Sequence, residues 1–388
     1  MDVIDKKTFF GFAFLDFLFW AYFAAFIGYI STYMLACGMK SSVLSIVLAV
    51  YMACCFAGAF FWGGQCDKRR TNKKVFLFEF TTAVILALIV YFMADKNIWV
   101  SAVIYPVFGF FAAPLGSNLD SWMLRSFDRS ASVYGRARAI GSLGYAVVML
   151  VCGQLINRIG YIVIPISSII VACGVITLAV FMKEKEYSAV QASAEKVRTA
   201  DLLKIRPYIF MIAVVFLTGL AAAPINNLKI IILQSVGGDV SLLGVDAFIG
   251  VCVQAVFLFI SGSLRRIPRY FRLLLSTTCC LAMLALTNFA VAPFMIIIGT
   301  VANNVSYGIL IPTMREITES SVTGALKNRA HSLSDAMFGS FAGVIALTYS
   351  GFLMDTFGPR SAAFLGMCIM AVPIAMTLFA MLKPAKKA

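Results

Sequence analysis

Long apolar runs separated by short polar breaks follow one another along the whole chain. Twelve of them, at about 9–36, 43–65, 75–94, 98–123, 139–157, 161–182, 208–234, 242–262, 271–291, 293–314, 330–354 and 361–382, approach or exceed the ~20 mostly apolar residues that carry an α-helix across a bilayer. Inside a bilayer every backbone polar group must be satisfied internally, so runs of this length predict spanning helices. The opening segment holds Asp2, Asp5, Lys6 and Lys7. The run after it is too long for a signal-peptide core and has no small-residue cleavage site, so the first helix is expected to be retained.

The most polar stretch falls in the middle, KEKEYSAVQASAEKVRTADLLKIRP. It predicts three parts: a six-helix bundle over 1–182, a cytoplasmic linker over 183–207, and a second six-helix bundle over 208–388. The halves look duplicated. GSLGYAVVMLVCGQLINRIG, Gly141 to Gly160, lies without a gap over GSFAGVIALTYSGFLMDTFG, Gly339 to Gly358, at an offset of 198 residues. Both segments fall on the fifth span of their half. Parallel six-span repeats are the architecture of alternating-access carriers. The short loops leave no room for a nucleotide-binding domain, which disfavours ATP-driven transport.

Composition excludes a water-soluble fold: 61% of residues are hydrophobic and 13% charged, with a mean hydropathy of +0.92. The net charge of +14 would suggest nucleic acid in a soluble protein. Here 27 of the 32 Lys and Arg residues fall in one alternate set of loops and termini, and four (Lys40, Lys96, Arg158, Arg360) in the other. By the positive-inside rule this places both termini in the cytoplasm and makes the charge a matter of topology. The chain is thus expected to be an all-α protein of the cytoplasmic membrane, with the bilayer and a small-molecule solute as partners, no nucleic acid, and a monomeric state. The ten cysteines lie mostly within spans and form no C-x-x-C pair, so they read as packing residues.

The break between the second and third runs reads Trp62-Gly63-Gly64-Gln65-Cys66-Asp67-Lys68-Arg69-Arg70-Thr71-Asn72-Lys73-Lys74. It resembles the G-x-x-x-D-[RK]-x-G-[RK]-[RK] signature of the major facilitator superfamily through Gly63, Asp67, Lys68 and the later basic pair. Arg70 stands where that signature has its second glycine. Gly63 is expected to let two helices approach closely. Asp67, with Lys68 and Arg69, is expected to form a breakable latch with a helix end or an arginine. The corresponding loop of the second half, Ser261-Gly262-Ser263-Leu264-Arg265-Arg266, lacks the acid. The resemblance implies the major facilitator fold.

Charges inside spans are costly and mark function by default. Asp120 and Arg138 each stand nine residues from Arg129 in the connecting turn, so an antiparallel hairpin brings them to similar depth. They either bind solute or simply hold two helices together. The run Tyr134-Gly135-Arg136-Ala137-Arg138-Ala139-Ile140-Gly141 is similar to the G-R-A-R-x-x-G run of lactose permease and its relatives among oligosaccharide, nucleoside and aromatic-acid proton symporters. That resemblance implies solute binding by Asp120 and Arg138; Asp120 is also a candidate for proton coupling. The later charged residues of lactose permease find no counterpart: the eighth span offers Gln254, and the tenth Asn303, Asn304 and Tyr307.

Asp16, in FGFAFLDFLFWAYF, has only apolar and aromatic neighbours and is a candidate to load and release a proton; the competing reading is a static partner of Arg138. His331 and Asp335 share a helix face and form a second, weaker relay candidate. In GLAAAPINNLKIIIL, Pro224 is expected to interrupt the helix after Gly219, with Asn226, Asn227 and Lys229 facing a polar cavity. Asn303 and Tyr307 present one face of the tenth span, Trp20 or Tyr22 could stack on a ring, and Glu79 and Asp246 read as interfacial.

These readings predict a secondary carrier, proton-coupled, of a small polar organic solute such as a sugar or nucleoside, with no cofactor beyond a coupling proton. The rival is a proton-driven efflux antiporter. A membrane enzyme or receptor is disfavoured by the single histidine and the lack of paired metal ligands.

Overall fold

The computed structural model describes residues 6–128, 130–185, 202, 204–260, 264, 266–322 and 326–382. Most of the 183–207 linker, the loop residues Ser261, Gly262, Ser263 and Arg265, and the basic residues Arg129, Lys196, Arg198, Lys383, Lys386 and Lys387 lie outside them.

Twelve helices are long and apolar enough to cross a membrane. In chain order they are α1 (Lys6–Ala36), α2 (Ser41–Arg69), α3 (Lys73–Ala94), α4 (Ile98–Ser126), α5 (Ala131–Ile159), α6 (Val163–Phe181), α7 (Arg206–Ser235), α8 (Val240–Phe259), α9 (Arg269–Asn288) and α10 (Pro293–Ser321). Then come α11, built of two α-helical stretches (Leu326–Asp335 and Ala342–Phe357) around a π-helical turn (Ala336–Phe341), and α12 (Ser361–Leu382). Several helices overrun their apolar runs. α5 begins eight residues before the expected 139, and α10 continues seven past 314. Polar residues do not stop a helix by being polar. Arg138 keeps its helix because other helices supply its partners, and Glu316 on α10 is met by the buried Arg272 at 2.8 Å.

The chain divides into two compact units. One gathers α1 to α6 with Asp239–Phe248 at the start of α8; the other holds α7, the remainder of α8 and α9 to α12. In the first unit α1 packs along α5 and α6, while α4 packs along α2 and α3. Its interior is filled by aromatic rings. Trp122 meets Phe12 edge-on at 5.3 Å, and Tyr51 stacks on Tyr105 at 4.7 Å. Phe60, Ile170, Phe181 and Phe379 are exposed, as side chains facing hydrocarbon should be. In the second unit α7 lies against α12, α11 and α10, and α9 against α10.

Glycine sets two of the closest helix approaches. A Cβ on Gly58 would run into the Phe110 carbonyl, so α2 and α4 touch backbone to backbone there, and one on Gly219 would run into the Phe338 carbonyl in the π-helical turn. Gly63 faces open space among the described residues, so the close contact expected there falls one and a half turns earlier, at Gly58. The duplicated segments end alike: Gly160 closes α5 at φ +82° and Gly358 closes α11 at φ +95°, in the left-handed region that favours glycine. Glu79 and Asp246, read from the sequence as interfacial, are both buried by neighbouring helices, Glu79 completely, with Asn118 of α4 donating to its carboxylate.

Candidate functional site

The first unit assembles a charged cluster from three helices. α1 contributes Asp16 and Trp20, one turn apart; α4 contributes Asp120; α5 contributes Tyr134, Arg138 and Ser142, again spaced by a turn. The Arg138 guanidinium stands between the acids, with Nη1 3.9 Å from Asp16 Oδ2 and Nε 3.9 Å from Asp120 Oδ1. It lies over the Trp20 indole at 4.2 Å and donates to Ser142 Oγ at 3.4 Å. The Tyr134 phenol faces Asp120. Charge-assisted hydrogen bonds close to ~2.7–2.9 Å, so neither acid holds Arg138 tightly. One permanently charged group is shared between two carboxylates.

The acids differ in their surroundings. The Asp16 side chain is 1% exposed and that of Asp120 32%. Asp16 reaches this depth because α5 carries no side chain at Gly141, where a Cβ would collide with the Asp16 carboxylate. That explains the final glycine of G-R-A-R-x-x-G in terms of space. The hairpin reading of Asp120 with Arg138 and the competing Asp16 partnership thus coexist around one guanidinium.

The second unit carries a largely uncharged cluster on α7 and α10. Asn226 donates to Tyr307 Oη at 2.6 Å, Asn303 donates to Asn226 Oδ1 at 3.1 Å, and Lys229 donates to Thr300 Oγ1 at 2.7 Å. On α10 the polar positions Thr300, Asn303, Asn304 and Tyr307 recur at helical spacing, but Asn304 turns back to the Thr300 carbonyl. Asn227 also departs from expectation: its amide returns to the Ala223 carbonyl at 2.8 Å. Gln254 on α8 is half-buried, with no hydrogen bond among the described residues. α7 does not break after Gly219. It runs through Pro224, and the one non-helical residue is Leu228 (φ −117°, ψ 19°). One turn beyond the proline the Asn227 amide competes for the carbonyl its own turn needs, which bends helices.

At the basic end of the first unit, Asp67, Lys68, Arg69 and Arg70 are exposed on the last turn of α2 and its cap. A group missed from the sequence sits beside them. Glu184, just past α6, accepts from Thr71 Oγ1 at 2.6 Å, Asn72 N at 2.6 Å and Lys73 N at 3.2 Å, and lies 3.7 Å from Arg125. A carboxylate at the amino end of α3 meets free N–H groups and the positive end of the helix dipole. No local pattern could have shown this, since Glu184 is over a hundred residues from Thr71, Asn72 and Lys73 and far along the chain from Arg125. His331 and Asp335 do not pair with each other: His331 meets Glu319 at 2.8 Å, and Asp335 binds Arg315 through both oxygens.

The fold is that of solved transporters. A point variant of the nucleoside transporter NupG superposes with a TM-score of 0.84 at 12% identity, covering 97% of this chain and all of that one. Another NupG structure gives 0.80 at 14%, covering 98% and 100%. A bacterial homolog of the human lysosomal transporter Spinster gives 0.72 at 9%, covering 98% and 97%. None of the curated proteins is similar in sequence. The MFS_1 like family model matches residues 11–365, nearly the whole chain. Twelve spanning helices, the transporter fold and that match together place this multi-pass membrane protein in the MFS_1 like family of major facilitator transporters.

Proposed function

We propose that this transporter is a proton-coupled symporter of a small polar organic solute, a nucleoside or sugar, working by alternating access in the cytoplasmic membrane with both termini inside. The observation that carries the reading is the single guanidinium of Arg138 held between Asp16 and Asp120 at equal distance. Arginine does not lose its charge, so any change in the balance must come from the acids. A proton on Asp16 cancels its pull and leaves Arg138 to Asp120 and to a solute hydroxyl or carbonyl. Loss of that proton draws the guanidinium back over Trp20 and weakens the solute's hold. The more open Asp120 is the acid placed to accept a solute hydroxyl. In the second unit, Asn226, Asn303, Tyr307 and Lys229 supply uncharged and cationic donors of their own and are further candidates for solute binding. The exposed Asp67, Lys68 and Arg69 are assigned the latch, for which Gly63 is not needed as a close-packing residue. The NupG structures, from a nucleoside transporter by name, support testing nucleosides first.

The test is purified protein in liposomes under an imposed pH gradient, offered nucleosides, sugars and aromatic acids. Gradient-driven accumulation of one of these classes is expected. Asp16→Asn should abolish accumulation yet keep solute exchange, whereas Arg138→Ala should weaken solute affinity ~10- to 100-fold, the loss of a charge-assisted hydrogen bond worth about 1.5–3 kcal/mol. Undiminished accumulation by Asp16→Asn refutes the proton role, and proton-driven extrusion in place of uptake means an antiporter.

A further inference from the structure

Among the described residues Glu79 is the most fully buried charged residue outside the two clusters, in the second turn of α3 with no surface exposed. Its carboxylate Oε2 accepts from Asn118 Nδ2 at 2.6 Å, while Oε1 has no hydrogen-bond partner among the described residues. A buried carboxyl group within a span is expensive, and an apolar residue would serve packing better. Its partner's amide is fixed from the other side by the Cys66 thiol, which donates to Asn118 Oδ1 at 3.4 Å. The Asn118 main-chain carbonyl accepts in addition from Asn72 Nδ2 at 3.0 Å, and Asn72 is bound in turn by Arg125 and by Glu184. α2, α3 and the segment after α6 therefore all grip α4 at or near one residue.

That residue is two positions from Asp120. Residues two apart on a helix differ by about 200° in direction, so when Asn118 points at Glu79, Asp120 points the other way, towards Arg138. α4 packs along α2 and α3 and touches α5 only sparsely, so packing against α5 does not set where Asp120 stands. Pro106 and Pro114 further remove backbone N–H groups from α4. Among the described residues, packing on α2 and α3 leaves the polar anchor on that face as the one directional contact opposite Asp120. We propose that Glu79 is a positioning residue: through Asn118 it fixes the roll and depth of α4 and so holds Asp120 at its distance from Arg138. Its consequence for transport rests on the solute site proposed above; its geometry does not.

The native chain carries its own reporter, since Arg138 lies over Trp20. In the folded, detergent-purified protein, Glu79→Leu should shift the Trp20 component of the emission spectrum, identified as the part lost when Trp20→Phe is added. Glu79→Gln, whose amide oxygen can still accept from Asn118, should not. In an Asp120→Asn background the shift should largely disappear, because the group being positioned is already altered. If Glu79→Leu does not fold, Asn118→Ala is expected to give the same shift. The proposal is overturned if folded Glu79→Leu and Asn118→Ala leave Trp20 emission unchanged, if Glu79→Gln shifts it as much as Glu79→Leu, or if the shift is undiminished with Asp120→Asn. Uridine binding gives the functional reading. About tenfold weaker affinity is expected for Glu79→Leu, as for loss of a buried hydrogen bond, and the loss should be non-additive with Asp120→Asn. Uridine affinity indifferent to both Asp120→Asn and Arg138→Ala would refute the solute site for this nucleoside while the emission result still decides the role of Glu79.

Discussion

Arg70 shows how a departure from a family signature is recorded in a single backbone angle. It occupies the position of the signature's second glycine, and its φ of +51° lies in the left-handed region that glycine enters without cost. It caps α2 there, its N–H reaching the Asp67 and Cys66 carbonyls. Left-handed backbone costs a side-chain-bearing residue about 1–2 kcal/mol, so Arg70→Gly should stabilise the protein by about 1 kcal/mol, part of the gain being offset by a more flexible unfolded chain. A higher denaturation midpoint in detergent, with transport retained, is the expected outcome; a lower one would mean that the arginine side chain makes contacts outweighing the strain. Asp16 teaches a complementary lesson. Its apolar sequence neighbourhood announced burial, but not the missing Cβ of Gly141 that makes room for it.

At the scale of helices, positions and periodicity were legible and pairings were not. All twelve spans could be read from apolar length, because the hydrocarbon thickness fixes that length. The polar stripe of α10 could be read from its spacing. The burial of Glu79 could not be read, because it depends on Asn118, a partner on another helix. The break in α7 was misplaced because proline is visible in a sequence, whereas the return of the Asn227 amide to its own helix is not. The π-helical turn in α11 had no signal at all. Its carbonyl at Phe338 lies against Gly219 of α7. Backbone cannot yield as a flexible side chain can, so Gly219→Ala should destabilise the second unit by about 1–3 kcal/mol, the usual cost of overpacking. Hydrogen exchange should rise in α7 and α11 and stay unchanged in α1 to α6; protection equal to wild type would show that the π-helical turn shifts without cost.

Over the whole molecule the excess of positive charge has a geometric reading. The described basic residues gather where even-numbered helices end and odd-numbered ones begin: Arg69 and Arg70 beside Lys73 and Lys74, Arg125 on α4, Lys183 and Lys185 after α6, Arg206 at the start of α7, Arg269 at the start of α9. The opposite ends carry few: Lys40, Lys96, Arg158 and Arg360. Such a bias orients a chain because translocating Lys and Arg in short loops is disfavoured, and it is counted over loops, not as net charge. A fluorescent protein fused after Leu382 should therefore be bright, as in the cytoplasm. Alkaline phosphatase inserted at Lys96, in the loop between α3 and α4, should be active, as outside. Because the bias is spread over all the loops on the basic side, neutralising the cluster at Lys68 to Lys74 should leave both reporters unchanged while impairing the proposed latch. A dark fusion at the carboxyl end, or inactive phosphatase at Lys96, would reverse the orientation and with it the direction in which the Asp16 proton is proposed to be loaded.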